Sequence, residues 1–501
     1  MSEIQLFYDD QNIFITGGTG YFGKILIEKL LRSFPNIGTI YMLMRPKRGK
    51  DVNERRKELL RAPVFDPLRQ KNPDFEQKVV AINGDIEKPG LGLSAEDRNF
   101  LIKEVSIVFH SAASVVFNEP LPKAFVTNIM SVKEIIDFCK ECKKLKAAVY
   151  VSSAFSNLIH DKIEEKVYPS PIKYEEIKAI TEFMKEKNLS REDQQKLTKI
   201  IIGKFPNTYT FSKATGEGLI KEYASDLSFC IYRFSIGTST YKEPFPGWID
   251  ASQGMNALLI YGKLGTVHVL NLNEKINFDI IPADFAVNGI IASCWETGMI
   301  PKKIDGDVPV YNFVSSTDNP IKMGDVFEIY KKYQWKNPAR AAIYYPFFIG
   351  VTSLPLFIIY NFFLHKIPIF IGDLILKLLG RNPNLHRIYQ KGVVVMDSLR
   401  IFMNRDWIFE TYRIRALWNK LSETDKKLLP FDITTVNWDD FTNIHFDAVH
   451  KFLLKTDNSP ESIKYSRRRM MKLYVIHQIV NFLTIVFILW FIWMIVSFFY
   501  K

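Results

Sequence analysis

Cysteine is scarce, with four thiols in 501 residues. That is too few for a disulfide scaffold, so a packed core must hold the fold. The first ten residues are acidic and lack a basic stretch leading into an apolar one. No secretory signal is expected there, and a reducing, cytosol-facing compartment is. Glycine and proline, at 25 and 24, are ordinary and exclude a collagen-like chain. Metal-ligand spacing is missing too. Cys139-x-x-Cys142 has no second pair and falls at the end of a helical run, and His445 and His450 lack a matching carboxylate, so no metal is expected. The net charge of +12 comes with no helix-turn-helix, finger or RNA-binding signature, which argues against nucleic acid.

What the chain does have is apolar mass, 47% of residues, enough for roughly two or three domains of about 150 residues. The densest basic cluster, Arg467, Arg468, Arg469 and Lys472, stands just before the most apolar segment. Ile479 to Phe499 runs 21 residues without a charge, long enough to cross a hydrocarbon core of about 30 Å as a helix. Trp490, Trp493 and Tyr500 supply aromatic residues, and the basic cluster places its own end on the cytosolic side. The reading is a transmembrane tail anchor over 473–500, with Tyr500 and Lys501 beyond the apolar run. Tyr344 to Leu379 is a second apolar stretch. Pro346, Pro355 and Pro368 break it and His365 with Lys366 interrupts it, so one straight span is not expected. Helices lying against the membrane or the substrate are.

Near the start, the apolar run Asn12–Ile15 leads into Thr16-Gly-Gly-Thr-Gly-Tyr-Phe-Gly23, and a helical pattern follows from Lys24. Strand, glycine turn and helix are the setting of a dinucleotide fingerprint, and Gly18-x-Gly20-x-x-Gly23 fits it. The glycines let backbone approach a pyrophosphate, and the helix N-terminus offers free N–H groups to its charge. The next strand, Thr39 to Met44, ends in Arg45-Pro-Lys47-Arg48, where an NAD enzyme would place a carboxylate for the ribose 2′-hydroxyl. Cations there suit a 2′-phosphate, so NADPH is the expected cofactor, with Arg45 on adenine and phosphate. Further strands end at Gly84-Asp85-Ile86, at Ser111-Ala112-Ala113 and at Ser152-Ser153, separated by helical stretches. That alternation predicts an α/β, Rossmann-like doubly wound parallel sheet. Asp85 belongs near the adenine edge, and Ala112 is small, as a strand end beside a cofactor requires.

Tyr209-Thr-Phe-Ser-Lys213 places a phenol and an ammonium on one helix face. An ammonium there favours phenolate and lowers the phenol pKa. The charged run Lys162 to Arg191 reads as a solvated helical insertion.

With these residues in this order, the chain resembles the extended short-chain dehydrogenase/reductases, and more closely the animal, alcohol-forming fatty acyl-CoA reductases. The resemblance rests on Thr16–Lys24, Leu43–Lys47, Asn83–Ile86, His110–Phe117, Tyr150–Asn157, Tyr209–Glu217 and Tyr232–Thr240, and it covers essentially the whole chain. One departure is Phe234, where the family often has proline. The resemblance implies that Ser153, Tyr209 and Lys213 are the catalytic set. It also implies a cofactor set of Gly17, Gly18, Thr19, Gly20, Tyr21, Phe22, Gly23, Arg45, Lys47, Asp85, Ile86 and Ala112, with Tyr209 and Lys213. The domains expected are a reductase domain over 1–330, a mostly helical C-terminal domain over 340–460, and the tail. The activity implied is NADPH-dependent reduction of long-chain acyl-CoA to a primary alcohol through a bound aldehyde. The protein would be anchored in the endoplasmic reticulum or peroxisome membrane with its catalytic domain in the cytosol. A reductase acting on a sterol or sugar nucleotide, and a cofactor sensor without turnover, are the competing readings.

Overall fold

In this computed structural model, which describes residues 2–300, 307–456 and 459–499, the alternation of strand and helix produces one parallel sheet. Its strands are β1 (Ile13–Thr16), β2 (Ile40–Met44), β3 (Val79–Asn83), β4 (Ile107–His110), β5 (Ala147–Ser153), β6 (Phe229–Phe234) and β7 (Val310–Phe313). They lie in the order β7-β6-β5-β4-β1-β2-β3, every neighbouring pair parallel. β1, β2, β4 and β5 are buried along their whole length. Such strands are covered on both faces, which is why they read as unbroken apolar runs rather than alternating ones. β3, at the edge, exposes Val80 and Asn83. Ile13 of β1 pairs with Ile40 on one side and Ile107 on the other, so the strand order reverses between β1 and β4. A crevice opens at the carboxyl ends of strands where such a reversal occurs.

The contacts divide the chain into two compact units. The first comprises Met1–Trp248, Asn277–Ile321 and Asp406–Asn437, and the second Ile249–Ile276, Lys322–Arg405 and Trp438–Lys501. This partition cuts across the contiguous boundary near residue 330 drawn from the sequence. Asp406–Asn437 returns to the first unit because it finds partners there. Ile408 pairs with Lys162 in a short parallel bridge, and the buried Glu165 carboxylate accepts the N–H groups of Asn312, at 2.9 Å, and of Arg413 and Ile414. The charged run from Lys162 is therefore not wholly solvated. Burial pushes Glu165 up to about 7. The helix Tyr174–Glu186 buries Ile177, Thr181 and Met184 along one face, whereas Arg191–Ile202 buries nothing.

Three helices of the first unit matter below: α1 (Tyr21–Ser33), α2 (Ser131–Glu141) and α3 (Thr208–Tyr223). Cys139 and Cys142 lie at the end of α2, and burial raises both thiols, Cys142 to about 12. In the second unit, the stretch broken by prolines in sequence is one helical run, α4 (Leu354–Leu378). Pro355 occupies its first turn. Pro368 lacks an N–H and crowds the carbonyl four residues back, and the chain relaxes into a π turn over Phe362–Lys366 just before it. α5 (Leu385–Leu399) follows, and α6 (Pro460–Phe499) carries the tail. α4 and α6 are the two described helices long and apolar enough to cross a membrane. The first half of α6 packs on its own unit. Met470 is buried, Tyr474 meets Trp335 and Tyr345 at 5.5 and 5.2 Å, and Arg467 and Arg469 donate to the carbonyls of Lys336 and Ala342. From Gln478 to Val496 every described side chain is exposed. Tyr500 and Lys501 lie outside the described residues.

Candidate active site

β1 feeds directly into Gly17, which holds φ +78°, and Gly20 precedes the first residue of α1. The Gly20 N–H donates to Gly17 O at 2.9 Å and closes the turn. A Cβ on Gly17 would lie 2.6 Å from Ala112 N, and one on Gly23 would lie 2.2 Å from Gly17 O. Backbone approaches backbone too closely here for any side chain. No side chain caps α1, and its first turn carries no acidic residue. Its N–H groups and dipole therefore suit an anion.

Above this turn lies a cavity of about 450 Å³. Gly17, Thr19, Gly20, Arg45, Lys47, Asp85, Ile86 and Ala112 line it, as does Arg55, which the sequence did not single out. Gly18, Tyr21, Phe22 and Gly23 are not part of that lining, and the reasons are in their packing. Gly18 sits against Met42, where a Cβ would meet Sδ at 2.6 Å. The Tyr21 hydroxyl donates to the carbonyls of Thr238 and Trp248 at 2.7 and 3.0 Å. Phe22 packs on Phe234 at 4.5 Å, which gives the residue standing in place of the family's proline a role in the core. These four residues shape the turn through backbone, and the two aromatic side chains serve the interior.

The far end of the cavity is cationic, but not purely so. The Arg55 guanidinium donates to Arg45 O, and burial together with the neighbouring Arg45 charge pulls its pKa down. Arg45 itself reaches Asp85 at 3.3 Å and Glu87 at 3.5 Å. No carboxylate stands in Arg45–Arg48 directly after β2, yet β3 beside it delivers Asp85 and Glu87. The cradle, the uncapped helix and the cation cluster fit a nicotinamide dinucleotide.

At the carboxyl end of β5, Ser153 pairs in register with Phe234 of β6. α3 starts where the Asn207 side chain accepts the Thr210 N–H at 2.9 Å, and it carries Tyr209, Lys213 and Glu217 at intervals of four on one face. The structure brings Ser153 and Tyr209 together: the Ser153 hydroxyl acts on the Tyr209 phenol and favours its ionisation. Burial nevertheless pushes the Tyr209 phenol up to about 12, opposed by the Ser153 hydroxyl and reinforced by the Glu217 charge. Lys213 does not lower it, contrary to the sequence expectation. Its side chain passes toward β5, where Nζ donates to Val151 O at 2.8 Å and stands 4.7 Å over the Tyr150 ring. Burial brings Lys213 down to about 7 against the pull of Glu217. His110, at the end of β4, bonds Thr16 at 2.7 Å and is pushed to about 3 by burial and by Lys213.

Two further groups frame this site. The buried Glu217 carboxylate accepts from Ser152, Ser156 and Asn157 at 2.5, 2.8 and 2.9 Å, and from Arg233 at 2.9 and 2.6 Å. Ser153 is thus flanked on both sides by residues tied to one carboxylate. Asn128, inside a π turn over Phe125–Met130, accepts the Ser114 N–H at 2.8 Å and donates to Ser212 Oγ at 3.0 Å. It fixes the loop after β4 against α3. Glu217 continues the four-residue spacing of Tyr209 and Lys213 and closes the Tyr209–Glu217 motif, but neither signal points to its buried pairing with Arg233. Among the described residues no group of three or more His, Cys, Asp or Glu could hold a metal.

Comparison with known proteins gives a consistent picture. The NAD-binding model of the Male sterility protein family matches residues 15–290, and a second model of that family, Sterile, matches 364–456. The chain is 35% identical to fatty acyl-CoA reductase wat of Drosophila melanogaster, over 94% of this chain and 90% of that one. It is 32% identical to fatty acyl-CoA reductase 1 of Homo sapiens over the same shares. Among solved structures, the terminal R domain of the myxalamid PKS-NRPS pathway superposes with a TM-score of 0.59 at 17% identity, covering 89% of this chain and 92% of that one. The reductase domain of a non-ribosomal peptide synthetase from Mycobacterium tuberculosis gives 0.56 at 16%, covering 88% and 92%. At that identity both speak for the fold alone. By sequence over nearly its whole length, the chain belongs to the fatty acyl-CoA reductases, enzymes with an extended short-chain dehydrogenase/reductase fold and a nicotinamide cofactor.

Proposed function

We propose that this enzyme reduces long-chain fatty acyl-CoA to the primary alcohol with NADPH, through a bound aldehyde, and releases CoA. The observation that carries the reading is the neighbouring Ser153 and Tyr209 hydroxyls at the end of β5 with Lys213 one helical turn on, in a chain so similar to fatty acyl-CoA reductases.

Bound NADPH supplies hydride. Ser153 and Tyr209 donate to the thioester oxygen as it becomes negative, where positioned donors contribute most. A phenol near 12 is protonated at neutral pH, so Tyr209 stands loaded as the proton donor. Lys213, one helical turn on, offers its remaining N–H donors to a ribose. The hemithioacetal hydroxyl then returns its proton to the Tyr209 phenolate as the carbonyl re-forms and the C–S bond breaks, and the expelled CoA thiolate takes a proton from solvent. A second hydride and a second proton from reloaded Tyr209 convert the aldehyde to alcohol. Each thioester thus consumes two hydrides and two protons and yields one alcohol and one thiol. Arg45, Lys47 and Arg55 favour NADPH over NADH, with Arg45 exchanging Asp85 and Glu87 for the phosphate. α6 crosses a bilayer as a C-terminal anchor, and the reductase faces the cytosol at the endoplasmic reticulum or peroxisome.

Product analysis with a panel of acyl-CoAs tests this. The expected result is fatty alcohol plus free CoA at two NADPH per thioester. Thioester-independent NADPH oxidation, or aldehyde as the sole product, would contradict it.

A further inference from the structure

α4 is amphipathic in an inverted sense. Its Asn361, His365 and Asp373 side chains bond within the unit that carries it. His365 is buried, its Nε2 accepts the His268 N–H at 2.8 Å, and its Nδ1 lies 2.8 Å from Asn361 Oδ1. The same Asn361 oxygen accepts the Tyr389 hydroxyl of α5 at 2.6 Å. Asp373 accepts the N–H groups of Leu385 and His386 at 2.9 and 3.0 Å and so caps the start of α5. The outward face presents Ile359, Phe363, Phe370, Leu374 and Leu378 instead, at 50, 60, 72, 48 and 78% exposure. Scattered exposed apolar residues need no explanation, but a continuous row along a 25-residue helix does.

We infer that α4 lies flat in the interfacial layer of a lipid bilayer, its outward face among the acyl chains, as a second membrane contact in addition to α6. Three observations favour this occupant. An amphipathic helix in water turns its apolar face inward, whereas here Asn361, His365 and Asp373 take the inward bonds and the apolar row is left outside. A span is disfavoured because the helix midpoint is bonded to His268 backbone and, through Asn361, to α5. α4 therefore lies along its unit rather than passing through lipid alone. The charge is also predominantly positive. From α4 through the end of α5 the cations are Lys366, Lys377, Arg381, Arg387 and Lys391, all exposed, against two acids, Asp373, which caps α5, and the exposed Asp397. Exposed cations beside a buried apolar face suit anionic headgroups, with Lys366 and Lys377 reaching up from a helix sunk about 5–10 Å below them.

This rests on the reading that α6 brings the chain to a bilayer, so the test probes both helices in the full-length protein. The described cysteines, Cys139, Cys142, Cys230 and Cys294, are all buried. Single substitutions Ile359→Cys, Phe363→Cys, Phe370→Cys, Leu374→Cys and, on α6, Phe487→Cys therefore accept an environment-sensitive fluorophore selectively. The vesicles are phosphatidylcholine with phosphatidylserine, carrying nitroxide either near the headgroup or at the acyl-chain end. All four α4 positions should give blue-shifted emission and lose more signal to the headgroup-side quencher than to the chain-end one, to similar extents. Phe487→Cys should show the reverse depth preference. An embedded Phe487 label with unquenched, water-like α4 labels overturns the α4 proposal and leaves α6 standing, and self-quenching without lipid quenching does so in favour of a second copy of the chain. Quenching depth that rises and falls along 359–374 overturns it in favour of a span. Water-like emission at all five sites overturns both readings. Circular dichroism of each labelled protein checks that these surface changes leave the fold intact.

Discussion

α3 and α4 both turn polar side chains inward, with opposite consequences. In α3 the buried residues Ser212, Lys213 and Glu217 and the half-buried Tyr209 are each met by a partner from β5, β6 or a loop, and the helix is covered nearly all round. The bonds hold reactive groups at a strand end. In α4 the inward groups only pin the helix, and what matters is the apolar face left uncovered. The comparison separates two uses of a buried hydrogen bond: fixing a chemical group, and fixing the orientation of a surface.

The contrast predicts sharply different costs of mutation. Arg233→Ala would leave the Glu217 charge buried with its pair removed, a loss of about 3–5 kcal/mol. Phe370→Ser on the outward face of α4 should change stability by less than about 0.5 kcal/mol. Denaturant midpoints of the two variants measure this, and similar shifts would erase the distinction.

Glu217→Gln keeps most of the hydrogen bonds and removes the charge, so its effect should appear in pH dependence. Lys213 sits near 7 because burial outweighs Glu217. Its cationic fraction falls as pH rises through that value, and activity should fall with it. Without the carboxylate the lysine pKa drops further, and the alkaline limb of kcat/KM should move to lower pH. A lower rate with an unmoved limb would assign Glu217 to packing alone.

At the adenosine end, Arg45→Ala should weaken NADPH use by about 1.5–3 kcal/mol, roughly tenfold or more, with little change for NADH. Equal losses would mean that Arg45 serves only its contacts with Asp85 and Glu87. The smallest effect belongs to α4. Lys366→Gln and Lys377→Gln should each cost about 1 kcal/mol of binding to anionic vesicles, and the difference should fade as salt rises. Salt-independent losses would break the electrostatic part of the account.

What the sequence made legible follows the range of the interactions. Gly17 to Gly23 and Tyr209-x-x-x-Lys213 are local patterns whose spacing fixes their geometry, and the alternation of apolar runs revealed the parallel sheet. Asp85 and Glu87 reach Arg45 only because β3 pairs with β2. Glu217 of α3 meets Arg233 of β6, and Arg55 joins the cavity from a helix seven residues past Arg48. None of these pairings has a local signature. The lysine expected beside the phenol turned instead to Val151 O, because spacing along a helix sets where a side chain starts and not where a long one ends. Likewise the prolines of α4 read as breaks, while a π turn absorbed the only one in its interior.

The central claim is that one Ser153–Tyr209 donor pair serves both reductions. Tyr209→Phe keeps the ring and deletes only the hydroxyl, so fold and NADPH binding should survive. Assayed with long-chain acyl-CoA and, separately, with the matching aldehyde, the variant should lose roughly 10²–10⁴ in turnover on each substrate. Aldehyde reduction left intact beside a blocked thioester step, or both steps left intact, would contradict the account.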